Sequence, residues 1–510
     1  MRDCGSEAKK RVLANVVTNL MLVVVNGAVA FWLTRYLIGH LGLEVYGMIP
    51  LVISFVAYFN LFTNSIANAV SRFVAIHLDK GAIEESNIYL NSALFALAVL
   101  CGALLFPVII VSLLFSRLFQ VPSGFEAETG WLFFYVMLSS FIMVVTSPFL
   151  VSTFVRHRFD LNNLVRMLSK FLQVIILVMC FRYLSASLTY FGLSYCGMAL
   201  FLLVCSVILT RYLTPQLRIK RKSFNRGALR EMGPMSVWLT INDVGALLYI
   251  NISFVIINVF LGPKQCGRYG PIALLVTLLM TLGAAIGSVF APIAYEYVAR
   301  DRTDILAYQA HRSTKFMGLI MGLLVGLVCG LSRPLLKCWL VDPTFTDLSP
   351  LVWLLVGPLL VSIAVAPVVS VFRGLGRVKV PAIVTLVIGI VNVLLCVLLV
   401  RYTDLGLYGV ALAVLLCLTG KNFFFTPIYA AIITGQPKRV FIRGIIPGLV
   451  MASVVSLVTL ALSRRYELAS IPRLLVVGVL MFASYAPLCY GIILGKEDRS
   501  LLWSIIYRRG

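Results

Sequence analysis

The sequence predicts an all-α polytopic membrane protein of about 14 transmembrane helices, built as two pseudo-symmetric six-helix lobes plus a C-terminal helix pair. Three observations predict it. The 510-residue chain is 60% hydrophobic and 12% charged, with a mean hydropathy of +0.98, which excludes a soluble globular protein. Continuous apolar stretches of about 18 residues or more recur along its whole length, each long enough to cross a bilayer core of about 30 Å as a helix. A turn, Leu41-Gly42-x4-Gly47, returns 220 residues later as Leu261-Gly262-x4-Gly267, the mark of an internal duplication. The apolar stretches are continuous rather than alternating, so a closed β-barrel is excluded.

The elements follow in order. Span one, 12–34, begins after Lys9-Lys10-Arg11; it is too long for a signal-peptide core and lacks a small-residue cleavage site, so it is expected to remain as a helix. The first Leu-Gly turn leads into span two, 45–71, and then the charged run Asp79-Lys80-Gly81-Ala82-Ile83-Glu84-Glu85. Spans three and four are 88–114 and 131–155; Thr146-Ser147-Pro148 interrupts the latter before the basic turn Arg156-His157-Arg158. Spans five and six are 166–184 and 188–210.

A basic stretch, 212–233, carries Arg218-Ile219-Lys220-Arg221-Lys222. It reads as a solvated cytoplasmic linker between a first lobe, 12–211, and a second, 234–431. The second lobe repeats the plan with spans 234–260, 270–298, 316–334, 350–372, 381–400 and 407–430. Its second span is followed by Arg300-Asp301-Arg302-Thr303-Asp304. Its fourth contains Val365-Ala366-Pro367 before Arg373-Gly374-Leu375-Gly376-Arg377, with Pro367 219 residues after Pro148. Its sixth opens Gly406-Leu407-Tyr408-Gly409, as span six opens Gly192-Leu193-Ser194-Tyr195. Six spans per copy give both copies the same orientation, so their symmetry axis is expected along the membrane normal. Spans thirteen and fourteen, 442–463 and 474–494 within 432–494, lie outside the duplication.

The net charge of +23 has a topological origin. With the N-terminus assigned to the cytoplasm, 31 of the 43 Lys and Arg fall on that side, 11 fall on the other, and Lys421 lies inside a span. This is the positive-inside bias, and it predicts that both termini are cytoplasmic. Nucleic acid is not an expected partner; attraction to anionic membrane lipid is a secondary effect of the same charge. The eleven Cys are scattered through the spans with no CxxC pair, the four His form no metal-like pair, and there is no Walker-type loop. No metal, cofactor or catalytic residue is therefore expected.

The two lobes, the Leu-Gly-x4-Gly turns after the first and seventh spans, and the basic turn after the second resemble the multidrug/oligosaccharidyl-lipid/polysaccharide flippase superfamily. The segment Leu41–Lys80, with Tyr46-Gly47 and Ser71-Arg72-Phe73, is similar to its polysaccharide transporter branch. That branch contains O-antigen and other repeat-unit flippases of bacterial inner membranes, and two extra C-terminal helices suit it. The resemblance implies a non-enzymatic transporter. Its substrate would be a polyprenyl-pyrophosphate-linked oligosaccharide, as for lipopolysaccharide or another surface polysaccharide. Such a headgroup cannot cross hydrocarbon unaided, because every hydroxyl and charge would lose water. A cleft that opens alternately to each side would supply polar and cationic replacements.

Ionisable groups inside spans cost roughly 3 kcal/mol each, so each is a candidate for function. Lys421 and Asp243 both lie about 9 residues, or ~14 Å, from the cytoplasmic ends of spans twelve and seven. They fit either a structural ion pair or separate roles: Lys421 on the substrate phosphate, and Asp243 in proton or sodium coupling. Arg72 and Lys170 on the cytoplasmic side, and Arg35 on the outer side, lie nearer span ends. Each fits either snorkelling to lipid phosphate or contact with the pyrophosphate, which Arg can engage through two bonds at once. Asn60, Asn64 and Asn68 fall on one helical face and fit interhelical hydrogen bonding or a stripe that binds sugar hydroxyls. Two other functions compete. An ion-coupled multidrug exporter of the same superfamily would favour acidic groups in the cleft, and a membrane glycosyltransferase or ligase would need a long outer loop with catalytic carboxylates.

Overall fold

The structure, a computed structural model, describes residues 2–156, 158–219, 224–228, 236–288, 290–300, 302–340, 342–468, 470–493, 495 and 498–499. The side chains of 2–13, 16, 60–69, 71, 72, 79, 236, 237, 239, 291–293, 299 and 492 lie outside the described set.

The fold is all-α. In order, the helices are α1 (Arg2–Leu41), α2 (Met48–Asp79), α3 (Ile83–Leu113), α4 (Glu126–Val155), α5 (Phe159–Tyr183), α6 (Leu188–Leu213) and α7 (Ser236–Ile250, then Ile252–Leu261). There follow α8 (Pro263–Gly287, then Phe290–Ala299), α9 (Thr303–Gly330), α10 (Pro343–Ala364, then Ala366–Gly374), α11 (Lys379–Tyr402), α12 (Leu407–Ile433), α13 (Val440–Arg465) and α14 (Ile471–Gly491). Among the described residues, 13 helices are long and apolar enough to cross a membrane. The 32-residue α2 is the fourteenth long helix.

Several helices run past the apolar segments that announce them. α5 begins at Phe159 rather than near 166, because Asp160, Asn162 and Asn163 continue the helix although they contribute nothing to hydropathy. The end of the first unit that bears Arg156, Phe159 and Leu213 is its basic side.

Proline shapes the interior of the spans, since it removes a backbone donor and crowds the preceding turn. α4 passes through a 3-10 turn at Ser147–Leu150, containing Pro148. α10 breaks at Gly357-Pro358 and again at Val365, ahead of Pro367. Pro148 and Pro367 thus mark matching irregularities at matching places in the repeat.

Packing divides the chain into two compact units, residues 1–271 with 382–406, and residues 272–381 with 407–510. Packing and sequence repetition are different properties, so the six-helix lobes and their boundaries remain a reading of the sequence.

In the first unit, α4 packs most extensively on α6, where Gly192 lets α6 close onto Leu132 and Tyr135. α1 is tied to α5: Asn15 Oδ1 accepts the Asp160 N–H at 2.8 Å, and Asn163 Nδ2 donates to Thr18 Oγ1 at 3.4 Å. α7 is tied to α11 in a similar way: Thr385 Oγ1 donates to Asn242 Oδ1 at 3.0 Å, and Asn392 Nδ2 donates to the Leu248 carbonyl at 3.1 Å. The first and fifth helices of each sequence repeat are thus paired by side-chain amides near corresponding positions.

The two Leu-Gly turns meet each other in this unit. Gly42 and Gly262 take φ of +78° and +86°, a region that side chains disfavour, and end α1 and α7. Five residues on, a Cβ on Gly47 would lie 2.1 Å from the Pro263 carbonyl oxygen, and one on Gly267 would lie 2.1 Å from the Leu43 carbonyl oxygen. The contact is reciprocal in a register of 220 residues, which is local two-fold symmetry between the copies.

The basic stretch is not a loose linker where it is described. Asn87 and Asn91, one turn apart on α3, grip its backbone. Asn87 Oδ1 accepts the Arg218 N–H at 2.7 Å, Asn87 Nδ2 donates to the Gln216 carbonyl at 3.1 Å, and Asn91 Nδ2 donates to the Arg218 carbonyl at 2.9 Å. Ser92 Oγ accepts the Asn225 N–H, and Phe95 packs on Phe224. At Gln216, Arg218 and Asn225 the backbone groups that water would otherwise take are satisfied by polar side chains of α3.

In the second unit, α9 and α13 form the most extensive helix pair. Gly318, Gly322, Gly326 and Gly330 line the face of α9 toward α13, and Gly318 meets Gly448 backbone to backbone. α14 is pinned by the Tyr485 hydroxyl, which donates to the Leu319 carbonyl at 2.6 Å. Beyond α14, Asp498 returns to α9 and pairs with Arg312 and with Lys315. Glu296 pairs with Arg300 at 2.7 Å.

Candidate functional site

Lys421 sits on an irregular turn. Within α12, residues Gly420–Phe425 form a π-helical segment, which widens the helix by one residue and re-aims the side chains on it. Local chemistry supports the bulge. Thr426 Oγ1 donates to the Lys421 carbonyl at 3.2 Å, satisfying an acceptor that the widened turn loosens. Asn422, only 7% exposed, donates through Nδ2 to Ser362 Oγ at 2.9 Å, and Ser362 Oγ donates to the Pro358 carbonyl at 3.2 Å. The π-turn of α12 is therefore bonded to α10 at its own Gly357-Pro358 break. On the other side Phe425 stacks on Tyr429 at 5.5 Å, and Tyr429 meets Phe372 edge-on. Lys421 is half-buried and lies 12 residues from the Ile433 end of α12, a depth of about 18 Å at the helical rise.

Lys170 is deeper than its sequence context suggests. It lies 11 residues into α5, about 16 Å from the helix start. Its Nζ donates to Gln173 Oε1 at 2.7 Å and lies 5.6 Å from the centre of the Tyr195 ring on α6. Gln173 is fully buried. A hydrogen bond and a cation–π contact hold the Lys170 ammonium between α5 and α6. One turn nearer the basic side, Arg166 is exposed and donates from Nε to Asn162 Oδ1 at 3.4 Å. Sequence reading placed Arg166 at the edge of the span and passed over it. Its spacing of four from Lys170 was the signal, since it sets two cations on one helical face.

Asp243 is half-buried on α7, where Asn242 Nδ2 donates to its Oδ1 at 3.3 Å while Asn242 Oδ1 accepts from Thr385. The carboxylate is thereby positioned by the amide that joins α7 to α11. Asp243 and Lys421 fall in different compact units, and an ion pair between them remains a reading of the sequence. Arg35 is exposed on α1, beside a helix segment on which Trp32 stacks on Tyr36 and Tyr36 on Phe181. That surrounding fits an interfacial aromatic belt. The side chains of Arg72, Asn60, Asn64 and Asn68 lie outside the described residues, and α2 carries all four positions. No cluster of metal-binding side chains occurs among the described residues.

A scan of protein families matches residues 12–298 to the family described as polysaccharide biosynthesis protein. The chain belongs to that family. It is 30% identical over 496 residues to the uncharacterized membrane protein EpsK of Bacillus subtilis (strain 168), covering 96% of each chain. Among solved structures, the lipid II flippase MurJ in an inward closed conformation superposes with a TM-score of 0.63 at 13% identity, over 94% of this chain and 99% of MurJ. An inward-facing multidrug resistance transporter of the MATE family, in the MOP superfamily, superposes with a TM-score of 0.59 at 16% identity, over 86% and 98%. The chain is thus a multi-pass membrane member of the polysaccharide biosynthesis family with the MOP transporter fold.

Proposed function

We propose that this protein is a flippase that moves a polyprenyl-pyrophosphate-linked oligosaccharide across the bacterial cytoplasmic membrane by alternating access between its two lobes, for surface polysaccharide assembly. The observation that carries the reading is the character of its deep polar groups. Lys421 on the π-turn of α12 and Lys170 between α5 and α6 are both cations well inside their helices, and Lys170 is held by the Gln173 amide and the Tyr195 ring. Cations kept at such depth suit an anionic headgroup better than a cationic drug. Lys421, Lys170, Arg72 and Arg35 would engage the pyrophosphate along its path, and Asn60, Asn64 and Asn68 the sugar hydroxyls. Asp243 would couple transport to a proton or sodium gradient. Both termini would face the cytoplasm, since the positive-inside bias favours that topology.

The test is to delete the gene in its host and follow lipid-linked repeat units by leaflet. Accumulation of undecorated units on the cytoplasmic leaflet, reversed by the intact chain and not by Lys421→Ala, is the expected result. Normal surface polymer together with altered efflux of cationic dyes would overturn it in favour of drug export.

A further inference from the structure

Between the strapped basic stretch and the helices lies a cavity of about 430 Å³, wholly within the first unit. Its floor is apolar: Leu90 of α3, Phe149 of α4, Val207 of α6 and Leu217 of the strap. Its rim carries Arg211, at the basic-side end of α6, and Arg218, on the strap. Both arginines are exposed, and among the described residues neither has a carboxylate partner. The Arg218 backbone is fixed at both its N–H and its carbonyl by Asn87 and Asn91, so its guanidinium projects from an anchored point. Thr210, also in the lining, spends its hydroxyl on the Phe149 and Ser206 carbonyls. The ligand-facing polar chemistry of the cavity is thus two guanidinium groups over hydrocarbon.

We infer that this cavity is a resident site for one anionic phospholipid of the basic-side leaflet, with the headgroup phosphate on Arg211 and Arg218 and an acyl chain against Leu90, Phe149 and Val207. Three features favour a phospholipid over a free anion. The apolar floor offers nothing to a hydrated phosphate, the site opens where α6 leaves the membrane, and paired guanidinium groups match phosphodiester oxygens. An acyl chain there would fill the space under the strap and hold it down on α3. The inference does not rest on Lys170, on Lys421 or on the transport reading above, and it stands or falls without them.

Native mass spectrometry of the full chain, released from nanodiscs of equimolar phosphatidylglycerol and phosphatidylcholine, reads the occupancy directly. One retained phosphatidylglycerol per chain is expected. Arg211→Ala with Arg218→Ala should lower its retention by about thirtyfold at low salt, as expected for the loss of two interfacial cations. Arg211→Lys with Arg218→Lys should retain most of it, and Arg464→Ala with Arg465→Ala should retain it fully. Equal retention of the two lipids, or equal retention by the double-alanine variant, overturns the inference. Displacement of the lipid by millimolar inorganic phosphate also overturns it, because the site would then be one for a free anion. If the double-alanine variant fails to fold, Leu90→Trp with Val207→Trp, which fills the floor and leaves both arginines, must lose the lipid; retention there overturns the inference equally.

Discussion

Gly47 and Gly267 face each other's turn across a reciprocal contact, each leaving no room for a Cβ beside the carbonyl oxygen of the other copy's Leu43 or Pro263. The contact joins the start of the second helix of one repeat to the start of the second helix of the other. It is the most direct sign in the structure that the two copies of the sequence are related by a local two-fold axis.

Gly47→Val and Gly267→Val should each destabilise the protein by about 3 kcal/mol, because the obstacle is backbone and cannot rotate away. The double variant should lose much less than the sum, since the first substitution already opens the contact both residues share. Thermal unfolding in detergent, followed by size-exclusion fluorescence, measures both. Additive losses would show that the two turns do not act as one contact.

The π-turn should matter to transport more than to stability. In the proposed role Lys421 meets the substrate phosphate, so Lys421→Ala should lower flipping about tenfold or more, with Lys421→Arg less affected. Asn422→Ala, which frees the turn from Ser362 while keeping the lysine, should lower flipping with only about 1 kcal/mol lost in stability. Reconstituted vesicles with a fluorescent lipid-linked oligosaccharide read the rate. Wild-type flipping by Asn422→Ala would separate the turn from function. Lys170→Ala, tested in the same assay, should fall in the same direction as Lys421→Ala.

The strap can be released. Asn87→Ala with Asn91→Ala deletes three side-chain bonds to its backbone, each worth about 1 kcal/mol. Limited trypsin digestion between Arg218 and Arg226 should speed up by about tenfold or more relative to the intact chain. Unchanged cleavage would mean that the strap is held elsewhere.

Asp498 gives the fold a pH dependence. Burial alone would raise the pKa of its carboxyl, but hydrogen bonds and charge from Lys315 and then Arg312 outweigh it and hold the pKa below the usual carboxylate value. The folded state therefore binds this proton less readily than the unfolded state. The stabilisation is fully present above the unfolded value, about 4, and is lost as pH falls through the depressed folded value. Asp498→Asn should lower the melting temperature at pH 7 and converge on the wild-type chain in acid. A gap between the two that persists below pH 3 would contradict this.

How much of this was legible in the chain follows from which interactions are local. Hydropathy along a segment depends only on its own residues, and a bilayer demands the same of every span. The sequence by itself therefore determined the all-α membrane class, the approximate number of helices and the family. The repeat was legible as well, because Gly42, Gly47, Gly262 and Gly267 record a backbone requirement in residue identity. The tertiary structure alone decided that the two turns touch, that Lys170 is held at depth by Gln173 and Tyr195, and that Asn87 and Asn91 bind the basic stretch. It also decided that α12 widens at Lys421 against Ser362. Apart from the local Lys170–Gln173 bond, each of these joins residues far apart in the chain, whose partners no local periodicity specifies.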